Sequence, residues 1–200
     1  MTTHRFFLPP EQTRNPVLTL SERDSHHATH VLRLRRGDRV AVLDGVGAEF
    51  LCEVQEADRS ALTLHVVQKH AIPPLPYQLT LVQAITKGKT MDLILQKATE
   101  LGAARIVPIL SERTVAQVEE EDSAGKVEKW RTTAIEALKQ CGSAWLPKIE
   151  PPLSPQDFLS RDERFEISFI ATLQNNARHP REYFQTFLAE RQRPPKSVCV

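Results

Sequence analysis

The clearest pattern of hydrophobic and polar residues lies between Lys87 and Arg113. Apolar residues recur there at intervals of three and four, which marks one buried face of a helix. They are Met91, Ile94, Leu95, Ala98 and Leu101. Continuous apolar runs, LTLVQAI and ARIVPIL, stand before and after this segment and predict buried strands. The chain therefore contains a βαβ unit, which builds a parallel sheet covered by helices on both faces.

The same alternation of helix and strand continues to the last residue. A helical stripe around Trp130 ends at Gly142, and the pair Ser154-Pro155 predicts the start of a further helix. The run FEISFIATL predicts a third strand, His179 precedes the next helix, and PPKSVCV predicts a final strand. Residues 79–200 are thus predicted to form an α/β domain.

Shorter strands dominate the N-terminal part of the chain. The runs VAVLD, EFLCEV and ALTLHVV are joined through Asp-Gly turns. A helix is predicted to begin at Ser21, because SERD is a variant of the capping box. Residues 1–71 are therefore predicted to form a small all-β domain, an antiparallel barrel or sandwich. The proline-rich segment 72–78, which contains IPPLP, is the predicted linker.

Composition indicates a soluble globular protein with no global attraction to nucleic acid. The 200 residues carry a net charge of +1, so RNA binding has to rest on local basic clusters. The three cysteines include no CxxC pair, which argues against a zinc site and a disulfide framework. Neither a leader peptide nor a membrane-length apolar run is present. We therefore expect a cytoplasmic protein with reduced thiols and no membrane association.

A basic cluster in the N-terminal domain is the first candidate for RNA binding. Arg33, Arg35 and Arg36 lie within RLRRGDR, at a predicted turn from helix to strand. Their planar guanidinium groups suit phosphate oxygens, and Arg5 would complete a grip on an RNA backbone. The alternative is an exposed helix end whose cations interact favourably with the helix dipole.

The histidine cluster HHATH supports a metal site only weakly. His26 and His30 lie one helical turn apart, but no nearby carboxylate or cysteine completes a ligand set. We therefore expect structural or RNA-facing histidines and no metal. The motifs of serine hydrolases, P-loop NTPases and dinucleotide-binding enzymes are also absent from the sequence.

Polar residues follow the two strands of the βαβ unit. Lys87 and Lys89 come after the first strand, and Glu112 and Arg113 come after the second. Ligands of parallel sheets bind beyond the carboxyl ends of the strands, so these four residues form the candidate site. Solvated surface charge is the alternative, because lysine and arginine are mostly exposed in any protein.

Four segments of the chain together resemble the RsmE family in order and spacing. They are HRFFLPPE, HHATHVLRLRRGDRVAVLDG, KGKTMDLILQKATELGAARIVPILSER and EKWRTTAIEALKQCG. The resemblance implies a SPOUT-superfamily methyltransferase that transfers a methyl group from S-adenosylmethionine to N3 of a uridine in 16S ribosomal RNA. It further implies an N-terminal PUA-like β-barrel, an α/β domain with a trefoil knot, and a homodimer.

The resemblance also implies where the cofactor binds. In the family the methyl donor is held by loops that follow three successive strands of the knot. The first loop corresponds here to Thr172, Leu173 and Gln174, and the second would begin directly after Val200. The family's glycine-rich GPEGG-type loop and its LGxRxLRxET segment have no counterpart in these 200 residues. The knot is therefore expected to be incomplete in this chain.

Methyl transfer to N3 needs alignment of the reactants and removal of the N3 proton. We assign Lys87, Lys89 and Arg113 to phosphate binding or to stabilisation of the uridine anion. Glu112 would orient Arg113 or accept the proton. Two other functions are compatible with the sequence. One is a non-catalytic RNA-binding fragment or remnant, and the other is a SPOUT methyltransferase with another target, such as a transfer RNA.

Overall fold

The structure is a computed structural model that divides into two compact units. It describes residues 4–58, 61–112, 123–172, 174 and 177–200. The first unit comprises Met1–Pro74 and Ile135–Leu146, and the second comprises Leu75–Ala134 and Pro147–Val200. The chain thus leaves the first unit at the proline-rich segment and returns to it with the C-terminal part of a long helix. The sequence-derived domain limits, 1–71 and 79–200, stay predictions.

Five strands form the sheet of the first unit. They are β1 (Arg5–Phe7), β2 (Val17–Thr19), β3 (Arg39–Leu43), β4 (Ala48–Ala57) and β5 (Leu62–Ala71), in the order β1-β3-β4-β5-β2. β1 pairs with β3 in parallel, and the other pairings are antiparallel. The prediction of a purely antiparallel arrangement is therefore wrong for β1. Between β1 and β3 the chain passes through β2 and a helix, which is long enough for the crossover that parallel strands need.

Alternating burial along β4 supplies much of the core of the first unit. Phe50, Cys52 and Val54 are buried, whereas the residues between them are partly exposed. Leu62 and Leu64 of β5 belong to the same cluster. Full burial of a large apolar side chain contributes ~1.5–3 kcal/mol, so this pattern fixes which face of the sheet turns inward. Burial also raises the pKa of the Cys52 thiol to about 12, which leaves it unreactive.

The first helix begins at the predicted cap. Ser21 Oγ accepts a hydrogen bond from the backbone N–H of Asp24 at 3.1 Å, and α1 then covers Glu22–His26. A π-helical turn, His27–Val31, follows directly and was not predicted. Helices of this kind are rare and occur often at functional sites. A short 3-10 helix, Pro10–Gln12, precedes β2.

Five parallel strands form the sheet of the second unit. They are β6 (Gln78–Ala84), β7 (Arg105–Ile109), β8 (Lys148–Ile149), β9 (Ile167–Ser168) and β10 (Ser197–Cys199). Their order is β8-β7-β6-β10-β9, and every pairing is parallel. This confirms the predicted α/β class. β8 was missed because two residues are too few to show a period, and the long predicted third strand shortens to β9.

α2 (Lys89–Glu100) connects β6 to β7. Met91, Leu95 and Ala98 are buried, as their spacing predicts. Leu101 is 76% exposed, contrary to the prediction, because the helix ends there. Gly102 follows with φ +80°, a left-handed conformation that glycine adopts without strain.

Three further helices complete the chain. They are α3 (Ser123–Cys141), α4 (Pro155–Ser160) and α5 (Pro180–Arg191). Both predicted starts are confirmed, because Ser154 Oγ accepts from the N–H of Asp157 at 3.0 Å and His179 Nδ1 accepts from the N–H of Arg181 at 3.1 Å. In the described part of the chain, no helix combines the length and apolar character of a membrane span.

Trp145 packs against the turn between β3 and β4 within the first unit. Its Nε1 donates to the carbonyl oxygen of Ile72 at 3.0 Å. Gly47 in the turn has φ +102°, and a Cβ at this position would clash with the indole ring. Asp44 Oδ1 fixes the same turn by accepting from the backbone N–H of Val46 at 2.9 Å. Glycine is therefore required at position 47 both for its backbone conformation and for the approach of the ring.

We expect Gly47→Ala to lower the free energy of unfolding by ~2–4 kcal/mol, because the new methyl group both strains the backbone and overlaps the indole. Gly37→Ala is the matched control, since Gly37 has φ +92° and open space around it. That variant should lose only ~1–2 kcal/mol, the cost of the left-handed backbone. Urea unfolding, followed by tryptophan fluorescence, measures the free energy of unfolding of both variants. Equal losses would show that the contact with Trp145 contributes nothing.

Candidate functional site

The carboxyl ends of β6, β7 and β10 lie side by side in the sheet of the second unit. Beyond β6 and β7, the N–H of Ile85 donates to the carbonyl oxygen of Ile109 at 3.0 Å, which keeps the two segments together. Loops that follow parallel strands emerge at one edge of the sheet. Lys87, Glu112 and Val200, all predicted as site residues, therefore share this edge.

The loop after β6 leads directly into α2. Lys87 and Lys89 are exposed on either side of Gly88, the N-cap residue, which has φ +43°. Gly88 has no side chain with which to cap this helix end. The positive end of the helix dipole therefore adds to the charge of the two ammonium groups. The combination favours a negatively charged ligand.

The segment after β7 carries the two predicted catalytic residues. Glu112 is exposed there, whereas Arg113 lies outside the described residues, so its role stays a prediction. Thr86, which follows β6, was not predicted. Its Oγ1 is enclosed and finds no hydrogen-bond partner among the described residues. In the sequence, Thr86 is distinguished only by its hydroxyl group and its position between an apolar strand and a basic loop.

A cavity of about 510 Å³ opens at the carboxyl ends of β9 and β10. Thr172 and Val200, two of the predicted cofactor-binding residues, line it. Gln174 is not part of the lining, but its backbone N–H donates to Thr172 Oγ1 at 3.2 Å. Leu173 lies outside the described residues.

Aromatic side chains form one wall of this cavity. The ring centroid of Phe169 lies 5.4 Å from that of Tyr183, in an edge-to-face arrangement, and 5.4 Å from that of Phe184. The guanidinium carbon of Arg178 lies 4.6 Å from the Tyr183 ring centroid. Ile170, which also lines the cavity, is 91% exposed. None of these residues was predicted, since no motif in the sequence distinguishes them.

An ion pair holds β9 beside β10. Arg193 Nη2 donates to the carboxylate of Glu166 at 2.6 Å, and the backbone N–H of Lys196 donates to the same carboxylate. The N–H of Glu166 in turn donates to the carbonyl oxygen of Ser197 at 3.1 Å. The hydrogen bonds from Arg193 and Lys196 lower the pKa of Glu166 to about 2. This pairing sets the register of the two strands whose opposite ends open into the cavity.

A second group of ion pairs lies at the amino-terminal end of β7. Arg105 donates to both carboxylate oxygens of Glu163, at 2.6 and 2.8 Å. Arg161 Nη1 donates to Glu150 Oε2 at 2.7 Å. The hydrogen bond from Arg105 lowers the pKa of Glu163, and the same bond raises the pKa of Arg105. Arg105 Nε also lies 3.2 Å from Glu150 Oε1, so the two arginines and the two glutamates form one group of ion pairs.

The predicted RNA-binding arginines of the first unit do not share one cavity. Arg5 is half-buried and lines a cavity of about 260 Å³. Arg36 is exposed at a separate surface, and Arg33 and Arg35 are exposed as well. Arg33 has φ +56°, which turns the chain at the end of the π-helical segment. Their binding of RNA stays a prediction.

Two rings of the histidine cluster lie beside each other, with their planes tilted by 30°. The ring centroids of His26 and His30 lie 4.3 Å apart. Within the described ranges, no group of three or more histidine, cysteine, aspartate or glutamate residues is arranged to hold a metal ion.

Two family models match the chain. The RNA methyltransferase domain matches residues 73–200, and the RNA methyltransferase PUA domain matches residues 20–67. The chain belongs to the RNA methyltransferase family. The second unit of the structure thus carries the methyltransferase domain, and the PUA-like fold predicted for the N-terminal part is confirmed.

Curated relatives of this chain are named Ribosomal RNA small subunit methyltransferase E. The protein from Synechocystis sp. is 34% identical over 159 residues, which cover 79% of this chain and 50% of that protein. The protein from Aquifex aeolicus is 32% identical over 154 residues, which cover 76% of this chain and 66% of that protein. The resemblance to the RsmE family is confirmed. The chain spans half to about two thirds of the length of these relatives.

Solved structures share the same fold. A protein from Legionella pneumophila, solved in complex with the bound cofactor SAM, superposes with a TM-score of 0.82 at 25% identity and covers all of this chain and 79% of its own. Ribosomal RNA small subunit methyltransferase E from Neisseria gonorrhoeae, bound to S-adenosyl methionine, has a TM-score of 0.77 at 23% identity over the same shares.

We expect Glu166→Gln to lower the thermal unfolding temperature near neutral pH. The pKa of Glu166 is about 2 in the folded chain and ~4.3 in the unfolded chain. The ion pair therefore stabilises the fold above pH ~4, and the contribution is lost as the pH falls through the folded-state pKa. The unfolding temperatures of the variant and the parent should become equal at that acidic pH. A pH series of unfolding temperatures measures the effect.

Asp162→Asn is the control for this series, because its carboxylate is 88% exposed and lies 4.0 Å from Arg164. The unfolding temperature of this variant should equal that of the parent at every pH. A deficit of the Glu166→Gln variant that is independent of pH would contradict the role of the charge.

Proposed function

We propose that this chain is part of an enzyme that methylates N3 of a uridine in 16S ribosomal RNA, with S-adenosylmethionine as the methyl donor. The observation that carries the proposal is the match of the RNA methyltransferase domain to residues 73–200, which contain the parallel sheet and its cavity. The names of the relatives and the SAM complex of the Legionella protein support the reaction class and the donor. Because the chain spans only part of its relatives, the activity of residues 1–200 belongs to the proposal.

The cavity beside β9 and β10 fits S-adenosylmethionine in size and polarity. Its volume of about 510 Å³ is within the usual range of small-molecule sites. The rings of Phe169, Tyr183 and Phe184 suit an adenine ring or a sulfonium cation. Arg178 suits the carboxylate of the amino-acid part. When bound, the donor supplies an electrophilic methyl group on sulfur.

The predicted cofactor-binding residues agree with this location. Thr172 and Val200 line the cavity, and Gln174 is bonded to Thr172. We assign Thr172, Leu173, Gln174 and Val200 to the binding of the donor. Their contribution is to the shape of the cavity and to backbone contacts, since none of the four side chains carries a charge and only those of Thr172 and Gln174 can form hydrogen bonds.

The residues at the neighbouring strand ends would handle the uridine. Lys87, Lys89 and Arg113 would bind phosphate or stabilise the negative charge that forms when N3 loses its proton. Glu112 would accept that proton or orient Arg113; a carboxylate serves as a base only when its pKa is raised by its surroundings. Alignment of N3 with the methyl carbon can lower the barrier by up to ~7–11 kcal/mol, so positioning is the main contribution of the protein.

The first unit would hold the ribosomal RNA. Its PUA-like fold carries Arg5, Arg33, Arg35 and Arg36, and contacts from these side chains to phosphate oxygens would orient the substrate without reading its bases. We further propose a homodimer in the cytoplasm, which the family resemblance implies.

We expect residues 1–200 to bind S-adenosylmethionine with micromolar affinity in a calorimetric titration. Arg178→Ala should weaken binding about tenfold, because a charge-assisted hydrogen bond to the carboxylate is lost. Arg181→Ala is the matched control, since Arg181 lies at the start of the same helix and does not line the cavity. Absence of binding to the parent chain would instead favour a non-catalytic RNA-binding fragment.

In an enzyme preparation active on small ribosomal subunits, we expect Arg113→Ala to lower kcat/KM about 100-fold, as the loss of one charge-stabilising donor does in other enzymes. Lys97→Ala is the control, because Lys97 pairs with Glu100 on α2 at 2.7 Å and faces no ligand. Nucleoside mass spectrometry of the methylated RNA quantifies N3-methyluridine. Undiminished methylation by the Arg113→Ala enzyme would remove Arg113 from the site. Methylation of transfer RNA in preference to ribosomal subunits would overturn the choice of substrate.

A further inference from the structure

The first unit contains a cavity of its own, with a volume of about 260 Å³. Its walls come from the beginning of β1, from the helical segment after Ser21 and from the last turns of α3. All of its lining residues belong to the first unit. Seven of them carry polar or charged side chains, so the cavity is suited to a polar ligand.

Both carboxylates that line the cavity already have partners. Glu136 Oε1 lies 2.8 Å from Lys139 Nζ. Asp24 accepts a hydrogen bond from the hydroxyl of Ser21 at 3.2 Å and lies 3.9 Å from the same ammonium group. Lys139 is thereby shared between two acids, and neither acid is left to neutralise a further cation.

The donor side chains of the cavity other than Lys139, in contrast, have no partner among the described residues. Among the described residues, no hydrogen bond or ion pair is made by the side chains of His4, Arg5, His27 or Gln140. The guanidinium of Arg5 is the most informative of these, because it is half-buried. A half-buried guanidinium in a polar cavity, with no carboxylate bound to it among the described residues, is suited to binding an anion.

Arg5 is held in this position by the end of α3. Gly142 follows the helix with φ +76°, and a Cβ built there would lie 2.8 Å from Cζ of Arg5. Only glycine therefore allows the guanidinium to approach the backbone so closely. The negative end of the helix dipole attracts the cation. In the part of the chain that the structure describes, no carbonyl oxygen accepts a hydrogen bond from the guanidinium.

We propose that this cavity binds one phosphate group of the RNA backbone. The planar fork of Arg5 matches two phosphate oxygens, and the imidazoles of His4 and His27 and the amide of Gln140 supply further donors. This assignment rests on the proposed RNA substrate and adds a defined contact to it. The contact is made by the half-buried guanidinium of Arg5. The exposed arginines after the π-helical segment are not required for it.

The test uses residues 1–200 and a fluorescein-labelled decauridylate, with anisotropy measured over a range of salt concentrations and without methyl donor. Loss of one phosphate contact lowers the slope of log K against log salt by ~0.7 for a single strand. Arg5→Gln should show this change together with a loss of affinity of about tenfold at low salt. Arg5→Lys should retain the slope but bind several times more weakly, because it keeps the charge and loses the fork.

Arg23→Gln is the matched control, since it removes the same charge from the exposed face of α1 without touching the cavity. Its slope should equal that of the parent. An unchanged slope for Arg5→Gln, or equal reductions for Arg5→Gln and Arg23→Gln, would overturn the proposal. Neither of these outcomes excludes methylation by the enzyme. A failure of the cavity assignment is therefore distinguishable from a failure of the proposed function.

A measurement on the unaltered chain covers the case in which Arg5→Gln does not fold. The Nε–H resonance of Arg5 is assigned by its absence from the spectrum of Arg5→Lys. Addition of decauridylate should shift it, and inorganic phosphate should do so only at much higher concentration, since the free ion gains no neighbouring contacts. A resonance that moves with neither probe excludes an anion at Arg5. Equal responses to phosphate and to RNA would overturn the assignment to the RNA backbone in favour of a free phosphate site.

Discussion

Parallel pairing on both sides of β6 is the constraint on which the second unit depends. β6 lies between β7 and β10, and each pairing runs in the same direction. Parallel strands cannot be joined by tight turns, so each connection includes a crossover, and the loops after the strands open at one edge of the sheet. The basic loop before α2, the exposed Glu112 and the cavity beside β9 and β10 meet at this edge for that single reason.

Charge pairing separates the structural end of this sheet from the end available to ligands. At the amino-terminal ends, Glu163 and Glu166 are bound by arginine, and the pKa of each is lowered accordingly. At the carboxyl ends, Lys87 and Lys89 have no ion-pair partner among the described residues. The cavity of the first unit shows the same contrast, because its acids are paired and Arg5 has no ion-pair partner among the described residues. Arg5 is the more informative of these cations, since it is half-buried whereas Lys87 and Lys89 are exposed.

Much of the local structure was predictable. α2 shows a strong period, and Ser21 and Ser154 cap helices through contacts only three residues away in the chain. The parallel pairing of β1 with β3 and the two-residue strand β8 were not predictable, because strand direction and very short pairing depend on partners distant in the chain. For the candidate site, the basic loop followed from the position of strand ends, whereas the aromatic wall around Phe169 required the packing of α5 against the segment after β9.

The sequence by itself determined the family and the class of each unit. Four segments in a set order carry the resemblance, and period and turn chemistry distinguish a strand-rich unit from an α/β unit. Only the tertiary structure decided which charged side chains are satisfied. Arg105 and Glu163 are 58 positions apart, and Arg5 lies beside Gly142, which is far from it in the sequence. Local sequence patterns do not predict such contacts, because the contacts depend on how the strands and helices pack around their cores.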